Sequence, residues 1–211
     1  MNGPNSSVCV VLAITSNTAF LETGNIVNLV RTYDTLATLF PKVTLHVAAS
    51  TLDIGKCRST LGYRIKELDL APCKTMEPAE LAKGLMPRWA VSESVLIHDA
   101  SRPFVDHEQF ERVLNALEKD VDAVRPAMAF TETLKILTAN SVIKETLDRS
   151  TVLQISTPEL IRTSAIEVNG SDCGWFLPLK EKAQVIHVEG NPSGLRINSE
   201  ADAKLLELQL N

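Results

Sequence analysis

The 211-residue chain has no apolar run that approaches the length of a membrane span, and no span is expected. Its start has no basic stretch ahead of the apolar residues 8–14, so no secretory leader is expected. Basic residues are not in excess: 21 Lys and Arg stand against 26 Asp and Glu, a formal net charge of −5. That balance argues against nucleic acid as a partner, while a local basic pocket stays compatible with it. The four cysteines, Cys9, Cys57, Cys73 and Cys173, are far apart and in no metal-ligand spacing, which suits reduced structural thiols in a cytoplasmic protein. The four histidines, His46, His98, His107 and His187, form no paired motif. No linker, repeat or low-complexity tract interrupts the chain. With 45% hydrophobic and 22% charged residues, it reads as one globular domain over residues 1–211.

Apolar runs and helical spacings alternate along the first half. Residues 8–14 form a continuous apolar run, the first buried strand, followed by polar Thr15-Ser16-Asn17-Thr18. Residues 26–40 have apolar positions at helical spacing and stop at Pro41. A strand over 43–48, a short helix over 52–61, a weak strand over 65–70 and a helix over 78–86 opened by Pro78 come next. Such alternation predicts an α/β fold with a mainly parallel central sheet and helices on both faces. Residues 123–129 are strand-like. Residues 133–137 and 142–147, around Thr138-Ala139-Asn140-Ser141, form a protruding β-hairpin arm over about 131–150. A lone hairpin buries too little to stand by itself, so it must pack on its own body or on another subunit. The spacing further predicts a strand over 152–155 and a helix from a Thr157-Pro158 cap to about 166. Strands over 184–188 and 195–197 follow, then a final helix to about 210 capped by Ser199 with Asp202.

The chemistry centres on Val95-Leu96-Ile97-His98-Asp99-Ala100-Ser101-Arg102-Pro103-Phe104-Val105. A buried strand ends here in a carboxylate, a cation and a proline. Asp106 with Gln109 then reads as a helix N-cap with a capping box, the helix running to about 117. Ligands of open α/β sheets bind at this carboxyl end of a strand. Two readings fit. Asp99 holds a divalent metal and Arg102 a phosphate, or the two form a loop salt bridge with Pro103 setting the turn. His98 reads as a structural hydrogen-bonding residue, Trp89 and Trp175 as packing residues, and Lys180-Glu181-Lys182 as a solvated loop.

Five stretches in order resemble one family, the 2-C-methyl-D-erythritol 4-phosphate cytidylyltransferases. His98-Asp99-Ala100-Ser101-Arg102-Pro103 is similar to its His-Asp-Ala-Ala-Arg-Pro signature, and Glu132-Thr133-Leu134-Lys135 to the Asp-Thr-x-Lys of its arm. Thr146-Leu147-Asp148-Arg149 resembles the Thr-Val-Asp-Arg that returns from the arm, and Thr157-Pro158-Glu159 the Thr-Pro-Gln beyond it. Val188-Glu189-Gly190 through Leu195-Arg196-Ile197-Asn198 resembles the closing Val-Glu-Gly…Ile-Lys-Val-Thr. The resemblance implies a Rossmann-like nucleotidyltransferase fold that joins a cytidylyl group from CTP to methylerythritol phosphate with Mg²⁺, as a homodimer through the arm. It implies Asp99 on metal and phosphate, and Ala100 and Arg102 in the substrate site. Thr133 and Arg149 would reach methylerythritol phosphate from the partner's arm, and Arg196 would touch phosphate where the family usually has lysine. For Thr133, Lys135 and Arg149 an ordinary solvated hairpin with cross-strand pairs fits equally.

The N-terminal half departs from the family pattern. The family's Gly-x-Gly-x-Arg-Met loop and its Pro-Lys-Gln have no counterpart: no glycine lies between Gly3 and Gly24, and no lysine or arginine precedes Arg31. The family's Gly-Gly-x-x-Arg-x-x-Ser, which reads cytosine, matches Lys74-Thr75-Met76-Glu77-Pro78-Ala79-Glu80-Leu81, with no glycine pair. One such cation can be worth on the order of 10³-fold in phosphate chemistry. Thr15, Ser16 and Thr18 could donate hydroxyl hydrogen bonds, but these are neutral and weaker. The pattern therefore predicts weak or lost cytidylyl transfer. Its alternatives are an inactive homologue acting as a dimerising or regulatory subunit, and a transferase for another nucleotide or phosphosugar.

Overall fold

A computed structural model describes residues 8–169 and 176–209. Strand β1 (Val8–Ala13) is followed by a 3₁₀ turn (Asn17–Phe20) and a small hairpin, β2 (Glu22–Thr23) and β3 (Ile26–Val27). Gly24 and Asn25 both have positive φ, 60° and 61°, at the centre of that hairpin's two-residue turn, a conformation that glycine and asparagine tolerate best. Then come α1 (Asn28–Leu39), β4 (Leu45–Ser50), α2 (Ile54–Leu61), β5 (Leu70–Cys73), α3 (Pro78–Trp89), β6 (Ser94–Asp99) and α4 (His107–Asn115). The second half holds β7 (Ala123–Ala129), the arm strands β8 (Leu134–Leu137) and β9 (Ile143–Leu147), β10 (Leu153–Ile155), β11 (Glu159–Arg162), β12 (Val185–Glu189) and α5 (Glu200–Gln209).

Strands β6, β1, β4 and β5 are parallel neighbours, as an α/β fold requires. β11 pairs antiparallel with both β6 and β7, β10 pairs antiparallel with β7, and β12 runs parallel to β7. The sheet is therefore mixed, with its parallel part running from β6 to the β5 edge. Alternate side chains of β1 serve opposite faces. Val10 and Leu12 join Leu29 and Leu36 of α1, Leu61 of α2 and Phe110 of α4 in one core. Cys9, Val11 and Ala13 join Leu81 and Leu85 of α3 and Leu177 in the other. Each such fully buried leucine stabilises the fold by about 1.5–3 kcal/mol over its exposed state.

Six sequence expectations change. The helix expected from Thr157 is instead β11, entered through a cis Thr157–Pro158 peptide. Leu160 lies in the first core and Ile161 in the second, so the segment is buried on both faces and inserts between β6 and β7. The strand expected over 65–70 lies later, at β5. Lys66-Glu67-Leu68-Asp69 forms a 3₁₀ turn with Leu68 85% exposed, and β5, at the sheet edge, accommodates Pro72, which has no N–H to donate. Residues 195–197 are no strand, because their backbone groups bond to Ser101 and Thr18 instead of a neighbouring strand. Asp106 caps α4 by accepting from the Gln109 N–H at 2.8 Å, but no capping box closes. The Gln109 amide instead donates to the Thr157 carbonyl at 2.6 Å and accepts from the Asn191 N–H. The helix expected over 78–86 runs on through Pro87 to Trp89, and the one expected from 26 begins at Asn28.

Cys9, Cys57 and Cys73 are buried with unoxidised thiols, and burial pushes them up to about 12, 12 and 11. Cys173 and Trp175 lie outside the described residues. No helix among the described residues is long and apolar enough to cross a membrane.

Candidate functional site

β1 and β6 end side by side, with Ala13 in register with Asp99. Beyond that point Asp99 starts a tight turn. Its Oδ1 accepts the Ser101 N–H at 2.9 Å, and its carbonyl accepts the Arg102 N–H at 3.0 Å. This self-bonding is what an aspartate at a turn offers. The Ala100 N–H is tied to the Ala13 carbonyl at 3.0 Å, and the Ala100 carbonyl accepts from Thr32 of α1 at 3.3 Å.

Asp99 is 1% exposed, yet its charge is matched. Arg196 Nε donates to Oδ2 at 2.9 Å, and the Thr15 hydroxyl donates to Oδ1 at 2.9 Å. Arg196 Nη2 also donates to Thr15 Oγ1 at 3.0 Å, and its Nη1 to Asn198 Oδ1. Three residues distant in sequence, Thr15, Asp99 and Arg196, thus close one polar cluster at the carboxyl ends of β1 and β6.

Arg102 lies beside it, 4% exposed. Its Nη1 donates to the Gly194 carbonyl at 2.7 Å and to Ser156 Oγ at 3.2 Å, and its Nη2 to the Ile155 carbonyl at 3.3 Å. Burial pushes the guanidinium down to about 10; Asp99 opposes this shift and Arg196 adds to it. It stays charged at neutral pH. His98, behind Asp99, is held on both ring nitrogens: Nδ1 meets Thr157 Oγ1 at 2.9 Å and Nε2 the Arg102 carbonyl at 3.2 Å. A carbonyl only accepts, so the network assigns the proton to Nε2. Burial drives the ring down to about 4, with Asp99 opposing the shift. His98 is a neutral brace.

The loop after β1 turns its hydroxyls inward. Thr18 Oγ1 meets Ser101 Oγ at 3.0 Å and the Ile197 carbonyl at 2.7 Å, and Ser16 Oγ meets Ser101 Oγ at 3.1 Å. Asn28 of α1 pins this loop from below, donating to the Thr18 carbonyl at 3.0 Å.

Thr133 and Arg149 are exposed at the base of the arm, where Arg149 Nη1 donates to the Thr131 carbonyl. Among the described residues no hydrogen bond or ion pair joins either of them to the Asp99 cluster. Lys135 Nζ reaches Thr146 Oγ1 across the hairpin at 2.6 Å. The sequence reading named Asp99, Ala100, Arg102 and Arg196. It missed Gly194, Asn198, Ser156 and Thr157, whose roles come from a backbone carbonyl, a side-chain amide oxygen and two hydroxyls on loops; for Gly194 the Gly190-Asn191-Pro192-Ser193-Gly194 turn was the available signal.

The donor set does not fit a divalent cation at Asp99. Mg²⁺ takes oxygen ligands in near-octahedral geometry. Here one buried carboxylate has Oδ2 on a guanidinium and Oδ1 on two donors, and no group of three potential acidic, histidine or cysteine ligands occurs among the described residues.

Comparison with known proteins gives this geometry a context. The family model described as IspD, 2-C-methyl-D-erythritol 4-phosphate cytidylyltransferase, matches residues 79–173. A 2-C-methyl-D-erythritol 4-phosphate cytidylyltransferase of Prochlorococcus marinus subsp. pastoris is 33% identical over 138 residues, 60% of each chain. A bifunctional enzyme IspD/IspF of Oleidesulfovibrio alaskensis is 29% identical over 136 residues, 60% of this chain but 34% of its own length. The chain thus spans about a third of that bifunctional relative and under two thirds of the Prochlorococcus one. The 4-diphosphocytidyl-2C-methyl-D-erythritol synthase structure from Anaerococcus prevotii superposes with a TM-score of 0.78 over 98% of this chain and 99% of its own. At 21% identity that likeness establishes the fold. In sequence match, signature turn and architecture together, the chain is similar to the 2-C-methyl-D-erythritol 4-phosphate cytidylyltransferases.

Proposed function

We propose that the Asp99 cluster is the site of the family's reaction, in which CTP and methylerythritol phosphate give CDP-methylerythritol and pyrophosphate, and that transfer in this chain is weak or lost. The observation that carries the reading is the joining of Thr15, Asp99 and Arg196 above β1 and β6, with Arg102 beside them. Two guanidiniums against one carboxylate suit a phosphate group. What is missing is a cation within the loop after β1, although Lys56 Nζ lies over the Phe20 ring, 4.0 Å from its centre. The 15–20 loop has no cation, and Ser16 and Thr18 direct their hydroxyls at Ser101 and Ile197. Leaving pyrophosphate therefore meets little positive charge there, and positioned charge is the main catalytic term in phosphoryl chemistry.

In this reading Arg102 and Arg196 face phosphate, while Thr133 and Arg149 reach methylerythritol phosphate from the arm of a second copy. The arm supports a homodimer: Leu137, Val142 and Ile143 are more than half exposed, on a hairpin whose strands, among the described residues, pair only with each other. The protein works in the cytoplasm. A second reading, a non-catalytic dimerising or regulatory subunit, draws on the same inward-turned loop.

Calorimetry with CTP and Mg²⁺, paired with a pyrophosphate-release assay containing methylerythritol phosphate, tests the proposal. The expected result is weak CTP binding with release near the uncatalysed background. Tight CTP binding with steady release refutes the loss of transfer. Complete absence of binding to either substrate moves the protein to the second reading.

A further inference from the structure

At the end of β6 the position expected for a metal is filled by a protein cation. Arg196 Nε lies 2.9 Å from Asp99 Oδ2, and the pair is 26% and 1% exposed in its side chains. A guanidinium has five N–H donors. The bonds to Asp99, Thr15 and Asn198 use one each on Nε, Nη2 and Nη1, which leaves one N–H on each terminal nitrogen. Two such N–H groups are the fork that a phosphate takes in a bidentate contact. Arg196 also lines a cavity of about 500 Å³, shared with Arg102, Gln154 and Asn198. Asp202 lines it too, but its Oδ2 accepts the Asn198 N–H at 2.9 Å. Leu195, Leu205 and Leu206 give it an apolar wall, which suits the carbon part of a small phosphate ester.

A metal at Asp99 would have to displace Arg196 from the carboxylate, Thr15 and Asn198 together.

We propose that Arg196 stands in for the divalent cation at Asp99, so that this chain binds the phosphate of a phosphate ester here without metal. This deepens the functional reading above and rests on its phosphate-binding part.

The test uses the full chain and two probes. Mn²⁺ uptake by the wild type is followed by electron paramagnetic resonance, and inorganic phosphate is titrated calorimetrically in EDTA and again with millimolar Mg²⁺. The wild type should take up no Mn²⁺ below millimolar concentration, and its phosphate Kd should change less than about twofold with Mg²⁺. Arg196→Gln should weaken phosphate binding at least about tenfold, and Arg196→Lys, which keeps the charge but not the fork, by a smaller factor. Submillimolar Mn²⁺ uptake, phosphate binding that requires Mg²⁺, no phosphate binding at all, or a folded Arg196→Gln with unchanged Kd would each overturn the proposal. If the glutamine variant does not fold, the lysine variant and the EDTA comparison decide. Pyrophosphate release is read separately: steady release beside metal-independent phosphate binding sinks only the loss of transfer and leaves this inference standing, while its absence there agrees with both. Brisk release beside Mg²⁺-dependent phosphate binding sinks this inference as well as the loss of transfer.

Discussion

His98 makes the acid side of the stability curve calculable. Its ring is buried, bonded at both nitrogens and held at about 4, against 6.5 for an ordinary histidine. The folded-state value is depressed, so between pH 6.5 and 4 the unfolded chain binds a proton that the folded chain refuses. The stabilisation is complete above pH 6.5, falls as pH drops, and is gone below about 4. A gap of about 2.5 units at 1.36 kcal/mol each amounts to about 3 kcal/mol. Near pH 5 the two states differ by about 0.9 of a proton, a slope of roughly 1.2 kcal/mol per pH unit. Urea denaturation of the wild type and His98→Gln at half-unit steps from pH 7 to 4 reads this slope. Carboxylates contribute equally to both proteins, so the difference between the two curves belongs to His98. The variant is less stable at pH 7 but should decline more gently by about 3 kcal/mol over the window. Parallel curves would refute the picture of a neutral, walled-in ring.

Three further outcomes are expected. Gly194→Ala places a Cβ 3.0 Å from Val105 Cγ2 and 3.2 Å from the Asn191 carbonyl, so it should cost about 1–3 kcal/mol in thermal denaturation and weaken phosphate binding by moving the acceptor of Arg102. Arg125→Met strips the buried Glu159 carboxylate of its ion pair and should cost about 3–5 kcal/mol; adding Glu159→Gln, which keeps an acceptor for the Phe176 N–H, should restore at least half, as read from urea midpoints. For the homodimer proposed above, Ile143→Lys on the arm should shift sedimentation from dimer to monomer while changing monomer stability by no more than about 0.5 kcal/mol.

The elements legible in the sequence are those whose burial matches their pattern. β1 and β6 are buried along nearly their whole length; β1 is an unbroken apolar run, and β6 shows by the Val95-Leu96-Ile97 run that ends in His98 and Asp99. The arm shows because turn residues separate two extended segments. β11 does not show, since Thr157-Pro158 imitates a helix start and four residues carry no readable period. β5 hides behind Pro72, which only an edge strand tolerates. The same division runs through the site. Asp99, Arg102 and Arg196 stand out by residue type and by resemblance to a family signature. Their partnership does not, because Thr15 and Asp99 are separated by 84 positions, and Asp99 and Arg196 by 97. Nor could the sequence say that the hydroxyls of Ser16 and Thr18 would turn toward Ser101 and Ile197, because that depends on where a loop from the far end of the chain is laid down.

That last loop is fastened at three places. Asn191 is gripped by Asp106 and Gln109 of α4, the Gly194 carbonyl by Arg102, and Ile197 by Ser101 and Thr18. Only Leu195 and Arg196 lie between the last two anchors. A ligand that pulls Arg196 toward itself therefore has almost no slack to draw on. Adjustment has to come from rotation of the side chain, while the strap that carries it stays put, and amide hydrogen exchange along 191–197 should slow in unison when phosphate is added.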